Sequence, residues 1–496
     1  MHVSGKSDEG VVSLKRTNKG VQPETLGQSP AESVEKRPSA KGNPIQATVT
    51  GTQRSEATSS GLARVREAAK RDKELRFTNL LHHISVEQLH AAYLTLNRGA
   101  ATGVDDMTWG EYGEGLEERL AKLHDQLHGG RYRAKPSKRT WIPKSDGRQR
   151  PIGIAALEDK IVQQALVGIL QLIYEEDFLG FSYGARPGRN QHNALDAIYV
   201  AIKQRKVNWV LDADIRGFFD NLDHGWLMKF VEHRVADRRV LRLIHKFLRA
   251  GVSEDGKWSK TVVGTPQGAV ISPLLANIYL HYVLDLWVNW WRNHHARGEV
   301  YIVRYCDDFV MGVQYPSDAK RFHDELRKRL GKFGLELHDD KTRLIEFGRF
   351  AVQNRKNRGE GKPETFDFLG FTHICSERRK DGKFQLLRKT IGKRLREKIK
   401  KVRQTLQRHR HKPIPELGRW LRSVVQGHFN YYAVPGNREA CDAFRTQIGF
   451  AWLRALRSRS QKGKSLTWER MQRKMMRRWI PTARVLHPYP DQRFCV

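Results

Sequence analysis

Apolar residues recur at helical spacing through much of this chain. Leu116, Leu120, Leu123 and Leu127 fall three or four apart, and Ile161, Leu166, Ile169 and Leu170 face one side of a run over 157–174. Both patterns predict amphipathic helices. Leu80, Leu81, Ile84, Leu89, Ala92 and Leu94 predict one or two short helices before them, and further helices are expected over 193–204 and 227–250. Ile391, Leu395, Ile399, Val402 and Leu406 form a single stripe on a helix otherwise covered by Lys393, Arg394, Arg396, Lys398, Lys400, Lys401 and Arg403. Shorter β-type runs predict strands over 208–213, 301–306 and 309–313. Residues 138–154 predict a hairpin, with Ser145-Asp146-Gly147 as its turn. Helices and strands do not alternate regularly, which disfavours a doubly wound sheet and favours an antiparallel sheet backed by helices.

Composition divides the chain further. Residues 1–70 are rich in Ser, Gly, Thr, Pro, Lys and Glu and poor in large apolar side chains, so a disordered leader is expected there. The whole chain has 89 Lys and Arg against 54 Asp and Glu, a formal charge of +35. Such an excess opposes compaction unless a polyanion neutralises it, which points to RNA or DNA as partner. Between 377 and 422 stand 18 Lys and Arg against four acids, next to Trp420, Phe429, Tyr431 and Tyr432. That mixture predicts a helical polyanion-binding domain. No apolar run reaches the ~18 residues that a membrane helix needs. A cytoplasmic setting without membrane contact is expected. The four cysteines, Cys306, Cys375, Cys441 and Cys495, contain no CxxC pair, so neither a zinc ribbon nor a disulfide framework is implied. The paired histidines His294-His295 and His409/His411 are read as solvated surface residues.

In so basic a chain, acids at the ends of apolar strands stand out. Tyr301-Ile-Val-Arg-Tyr-Cys-Asp307-Asp308-Phe309 sets two carboxylates between β-type runs, and Val210-Leu-Asp-Ala-Asp214-Ile215 ends another strand on acid. Converging carboxylates repel unless a cation lies between them, and hard divalent ions take oxygen ligands. Two such ions ~4 Å apart suit nucleotidyl transfer, one activating a 3′-hydroxyl and one steadying pyrophosphate. Asp214, Asp307 and Asp308 are the candidate ligands, with the Ile215 carbonyl as a further oxygen. Ordinary turn chemistry also places Asp at such positions. Alternation puts Asp212 and Asp214 on one face and cannot choose between them, and Asp220 also competes. The loop Gly264-Thr-Pro-Gln267-Gly268 could set Gln267 against a nucleotide, and Lys144 and Arg150 flank the hairpin turn, where cations could reach a triphosphate.

Taken in order, these segments resemble the reverse transcriptase/maturase encoded by bacterial group II introns. The resemblance covers roughly 75–490 and runs through 97–105, Ile142-Pro-Lys144…Arg150-Pro151, Ser182-Tyr-Gly-Ala-Arg186-Pro-Gly-Arg189, Asp214-Ile-Arg-Gly-Phe-Phe-Asp220, Pro266-Gln-Gly268, Tyr305-Cys-Asp-Asp308, Gly334-Leu-Glu-Leu337 with Lys341-Thr342, and Phe368-Leu-Gly-Phe371. It implies an α+β right-hand polymerase, with fingers and a palm carrying an antiparallel sheet, followed by an all-α thumb/maturase domain. The expected divisions are 1–70 leader, 71–130 N-terminal extension and start of fingers, 131–375 fingers and palm, 376–480 thumb or domain X, and 481–496 tail.

The resemblance also implies residue roles. Asp214, not Asp212, becomes the metal ligand beside Asp307 and Asp308, for two Mg2+ ions or Mn2+. Phe219 closes the sugar pocket against a 2′-hydroxyl. Gln267 underlies the incoming deoxynucleotide, Lys144 and Arg150 hold its triphosphate, and Lys341 stands near the site. Arg186, Arg189, Lys393, Arg394, Lys398 and Lys401 are expected on nucleic acid. The implied partners are group II intron RNA, target DNA, the RNA/DNA duplex and dNTPs, and the implied activity is splicing assistance followed by copying of the intron into DNA. Cys306 and Ala185 depart from the family's usual Ala and Phe. No Cys-pair endonuclease follows the thumb, so the DNA primer is expected from another nick. An intron-free reverse transcriptase in defence or repair, and an RNA-binding splicing cofactor with a vestigial polymerase, remain alternatives.

Overall fold

The computed structural model describes residues 53–143, 149–254, 257–259, 263–378, 380–459 and 461–490. The predicted turn 145–147 and Lys144 lie outside the described residues. The fold is mixed α+β. Its strands, in chain order, are β1 (Ser137–Pro143), β2 (Gln149–Ile154), β3 (Trp209–Asp214), β4 (Val252–Glu254), β5 (Lys257–Ser259), β6 (Val300–Tyr305), β7 (Asp308–Val313), β8 (Arg343–Glu346), β9 (Phe366–Phe368), β10 (Phe371–Glu377) and β11 (Phe384–Thr390). The described residues form two compact units, one within 53–190, 213–309 and 317–342, the other within 191–212, 310–316 and 343–490. The second unit therefore starts well before position 376 and draws on three stretches of chain. No described helix is long and apolar enough to cross a membrane.

In the first unit, the predicted hairpin forms with Lys138 opposite Ile154 and Pro143 opposite Gln149. Its sheet is not wholly antiparallel, because β1 pairs in parallel with β4 through Ser137 and Val252. The leader expectation fails over 53–70. Helix α1 (Gln53–Arg71) forms there and lies along α2 (Leu157–Asp177). It buries Val65 and Ala69, and Arg66 Nε donates to Glu176 at 2.8 Å. A few small apolar residues on one face suffice when a longer helix covers them, which composition averaged over 70 residues conceals. The single helix expected over 227–250 is two, His224–Glu232 and Arg238–Arg249. Asp237 breaks it. Its carboxylate accepts from the backbone of Arg239 at 2.9 Å, Leu80 at 2.8 Å and Leu81 at 3.0 Å, so it caps the second helix and pins a distant segment.

In the second unit, β7, β3 and β8 lie side by side in that order, and β3 runs antiparallel to β8 with Asp212 opposite Arg343. Strands β9, β10 and β11 make an antiparallel sheet. Leu369 (φ 46°) and Gly370 (φ 82°) form the two-residue turn of its first hairpin. Three long helices follow, α3 (Gly392–Arg408), α4 (Ile414–Tyr432) and α5 (Arg438–Arg457), with shorter helical turns after them. The Tyr431 hydroxyl donates to the Leu369 carbonyl at 2.9 Å. A Cβ on Gly370 would sit 2.9 Å from the Tyr432 hydroxyl, so the Phe368–Phe371 motif is a docking seat for the end of α4.

The predicted stripe on α3 is the buried one. Ile399, Val402 and Leu406 pack with Leu417, Leu421, Phe444 and Trp452, while Leu395 packs against that core from its edge. Trp452 is fully buried. Trp452→Ala is expected to cost about 3–5 kcal/mol in urea-induced unfolding.

Candidate active site

Asp214 is the last residue of β3. Its carbonyl accepts from His338 N at 2.8 Å, and Arg216 N donates to Glu336 O at 2.8 Å. Ile215 is the bridge partner of Leu337 between those bonds, so its own carbonyl takes no part in this pairing. The Gly334–Leu337 motif is thus an extended segment zipped onto the Asp214 end of the strand. His338 O then accepts from Lys341 N at 3.0 Å and Thr342 N at 2.9 Å. This turn folds Lys341 back until its ammonium contacts the Asp214 carboxylate. Asp212 has a different partner, Arg343, at 3.8 Å. The two aspartates that alternation could not separate are therefore separated by their cations.

Asp307 lies in the turn between β6 and β7, and Asp308 begins β7. Cys306 occupies the left-handed region at φ 57°, which turns the chain sharply between the two strands. Asp307 is half-buried and Asp308 exposed. Burial pushes the Asp307 carboxyl above its usual range. The Asp214 charge pushes it further, while Arg150 and Arg304 pull it down. Burial also pushes the Cys306 thiol up to about 11, so at neutral pH it stays protonated and offers no thiolate.

Among the described residues no group of three or more Asp, Glu, His or Cys side chains is drawn close enough to hold a metal unaided. Lys341 already neutralises Asp214. Two mutually repelling carboxylates are nevertheless hard oxygen donors that favour a cation between them, and this fits a divalent ion.

A cavity of about 220 Å³ is lined by Phe219, Asp220, Gln267, Ile152 and Gly153. The 264–268 loop is tied to both walls. Thr265 N donates to Phe219 O at 2.9 Å, and Gly153 N donates to Gln267 O at 2.8 Å. A Cβ on Gly264 would lie 2.8 Å from the carbonyls of Phe219 and Asp220, so the close approach requires glycine there. Gln267 Nε2 faces Asp220 at 3.5 Å. The structure therefore sets Asp220 in the cavity wall beside Gln267.

The family model described as "Reverse transcriptase (RNA-dependent DNA polymerase)" matches residues 142–373. "Protein YkfC" of Escherichia coli (strain K12) is 35% identical over 335 residues, covering 59% of this chain and 87% of that protein. "Group II intron-encoded protein LtrA" of Lactococcus lactis subsp. cremoris is 37% identical over 234 residues, 45% of this chain and 38% of its own length. The chain belongs to the group II intron-type reverse transcriptases and maturases. "Nuclear intron maturase 1, mitochondrial" of Arabidopsis thaliana is 32% identical over a shorter stretch, 18% of this chain and 13% of that protein. The chain spans well under two thirds of the length of the intron-encoded relative from Lactococcus.

In this reverse transcriptase, the cations expected on nucleic acid fall into two groups. Arg186 corrects the expectation. It is buried, its Nε donates to both Glu175 oxygens at 3.1 Å, and Nη1 donates to the carbonyls of Leu179 and Ser182 at 2.8 Å. Arg189 is half-buried, and its Nη1 donates to Gly180 O at 2.5 Å and Ser182 O at 3.3 Å. Both guanidiniums satisfy carbonyls of their own loop, which a stretch rich in Gly and Pro leaves without regular partners. In contrast, Lys393, Arg394, Lys398 and Lys401 are all exposed on α3.

Proposed function

We propose that this protein copies RNA into DNA at Asp214, Asp307 and Asp308, and that it binds and assists the splicing of a group II intron RNA. The observation that carries the reading is the placement of the acids within the matched reverse transcriptase segment, Asp214 ending β3 and Asp307 and Asp308 standing at the β6–β7 turn. In this reading β1 and β2 serve as fingers, the strands bearing the acids as palm, and the helices from Gly392 onward as thumb or domain X.

Asp214, Asp307 and Asp308, with the Ile215 carbonyl, would hold the divalent cations. A bound Mg2+ pair supplies Lewis-acid activation of the primer 3′-hydroxyl and neutralises charge on the leaving pyrophosphate. The protein's own groups orient the substrate. Arg150 and Lys144 grip the triphosphate, and Arg150 also offsets the acids electrostatically. Lys341 holds the Asp214 charge in check and keeps its carboxylate in place. Gln267 and its loop form the floor on which the deoxynucleotide rests.

In this reading Phe219, which lines the cavity, closes the sugar pocket against a ribose 2′-hydroxyl. Phe219→Ala is expected to raise incorporation of ribonucleotides over deoxynucleotides by roughly 10- to 100-fold, measured as the ratio of kcat/KM values in single-nucleotide extension.

Primer extension tests the reading directly. Purified protein with a DNA primer on an RNA template and dNTPs is expected to make full-length DNA in Mg2+ and none in EDTA. An absence of product in Mg2+ at every template tried would contradict it.

A further inference from the structure

Arg304 carries a full positive charge inside the apolar strand β6, three residues before Asp307, and it is fully buried. A guanidinium has five N–H donors in a rigid fork, and here each has a partner. Nε donates to Asp285 Oδ1 at 2.7 Å. Nη2 donates to Asp285 Oδ2 at 2.5 Å and to Ser182 Oγ at 2.7 Å. Nη1 donates to Asn277 Oδ1 at 2.9 Å and to the main-chain carbonyl of Cys306 at 2.9 Å. That last bond ends on the left-handed residue that presents Asp307.

The surroundings are built around this arrangement. Asp285 is itself fully buried and closes a π-helical turn, His281–Asp285, in an otherwise α-helical stretch. Such turns are rare and concentrate at functional sites. Asn277 Nδ2 donates to Gly184 O at 2.8 Å. A Cβ on Gly184 would lie 2.3 Å from Cys306 N, so that loop presses directly on the turn. Stability alone does not call for this pair. Buried ion pairs are commonly replaced by apolar residues at no loss of stability.

We propose that Arg304, clamped by Asp285 and Asn277, is a positioning residue that holds the Cys306 carbonyl and so fixes the turn presenting Asp307 and Asp308 for nucleotidyl transfer. The proposal rests on the polymerase reading above. Strain at Cys306 persists only where the surroundings over-determine it, and the guanidinium fork supplies that constraint. Lysine keeps the charge but not the fork.

The test compares wild type with Arg304→Lys in the full-length protein. Melting temperature and RNA affinity report folding, and paramagnetic resonance of Mn2+ bound to the primer–template complex reports the cation site. A folded Arg304→Lys protein is expected to lose ~100-fold in kcat, since small displacements of reacting groups cost that much. Its KM for dNTP should stay within ~3-fold, and Mn2+ binding should weaken ~10-fold. A folded variant with unchanged kcat and Mn2+ binding overturns the proposal. Should Arg304→Lys not fold, Asn277→Ala leaves the ion pair in place and carries the test. A loss of ~10-fold in kcat then supports the proposal, and an unchanged kcat overturns it. If wild-type protein makes no DNA, the polymerase reading fails and takes the proposal with it. If wild type and Arg304→Lys make DNA equally well, the proposal alone fails.

Discussion

Asp307→Asn is expected to reduce DNA synthesis by ~10³-fold or more, because the lost cation contact is worth several kcal/mol in the transition state. The same change should leave RNA affinity untouched and should not lower the melting temperature of the metal-free protein. The second expectation follows from the local electrostatics. Burial and the Asp214 charge both disfavour the ionised Asp307 carboxylate, so a neutral amide of the same shape relieves a cost in the folded state. Stability and catalysis therefore move independently, or in opposite directions. Initial extension rates and thermal melts on the same preparation check both halves. A variant that lost activity only by unfolding would show a depressed melting temperature, and one that kept its activity would remove Asp307 from the mechanism.

The second large effect is on nucleic-acid binding. Changing Lys393, Lys398 and Lys401 together to Gln is expected to lower the slope of log affinity against log salt by roughly 2 for single-stranded RNA, which amounts to ~100-fold weaker binding at 0.1 M salt relative to an extrapolated 1 M reference. These side chains stand exposed on α3, whose opposite face is anchored by Ile399, Val402 and Leu406, so the change leaves the core alone. Arg394 is left in place because it also hydrogen-bonds to Tyr432. Fluorescence titrations across a salt series measure the slope. An unchanged slope would assign the phosphate contacts to another surface.

What the sequence makes legible follows from the range of the forces involved. Local periodicity located α2, the β1–β2 hairpin and the stripe on α3, because each depends on neighbours within a few residues. The positions of 214, 307 and 308 at strand ends are legible for a related reason, since carboxylates there violate the local apolar pattern. Long-range pairing was not legible. The break at Asp237 depends on Leu80 and Leu81, more than 150 residues away. That Lys341 reaches Asp214 and Arg343 reaches Asp212 is likewise not readable from local pattern. Arg186 reads as a surface cation until Glu175 and two carbonyls close around it. Arg304 left a usable signal, a lone charge within Tyr-Ile-Val-Arg-Tyr. A residue that breaks the apolar pattern of a buried strand has a buried partner or a role at a site, and here it has the partner and the proposed role together.

The central claim is that Asp214 and Asp307 share divalent cations. Counting Mn2+ ions bound to the protein–primer–template–dNTP complex by paramagnetic resonance tests it most directly. The account predicts two ions per wild-type complex and loss of at least one in Asp214→Asn and in Asp307→Asn alike. The same number of ions, bound equally tightly, in wild type and in both variants would contradict it.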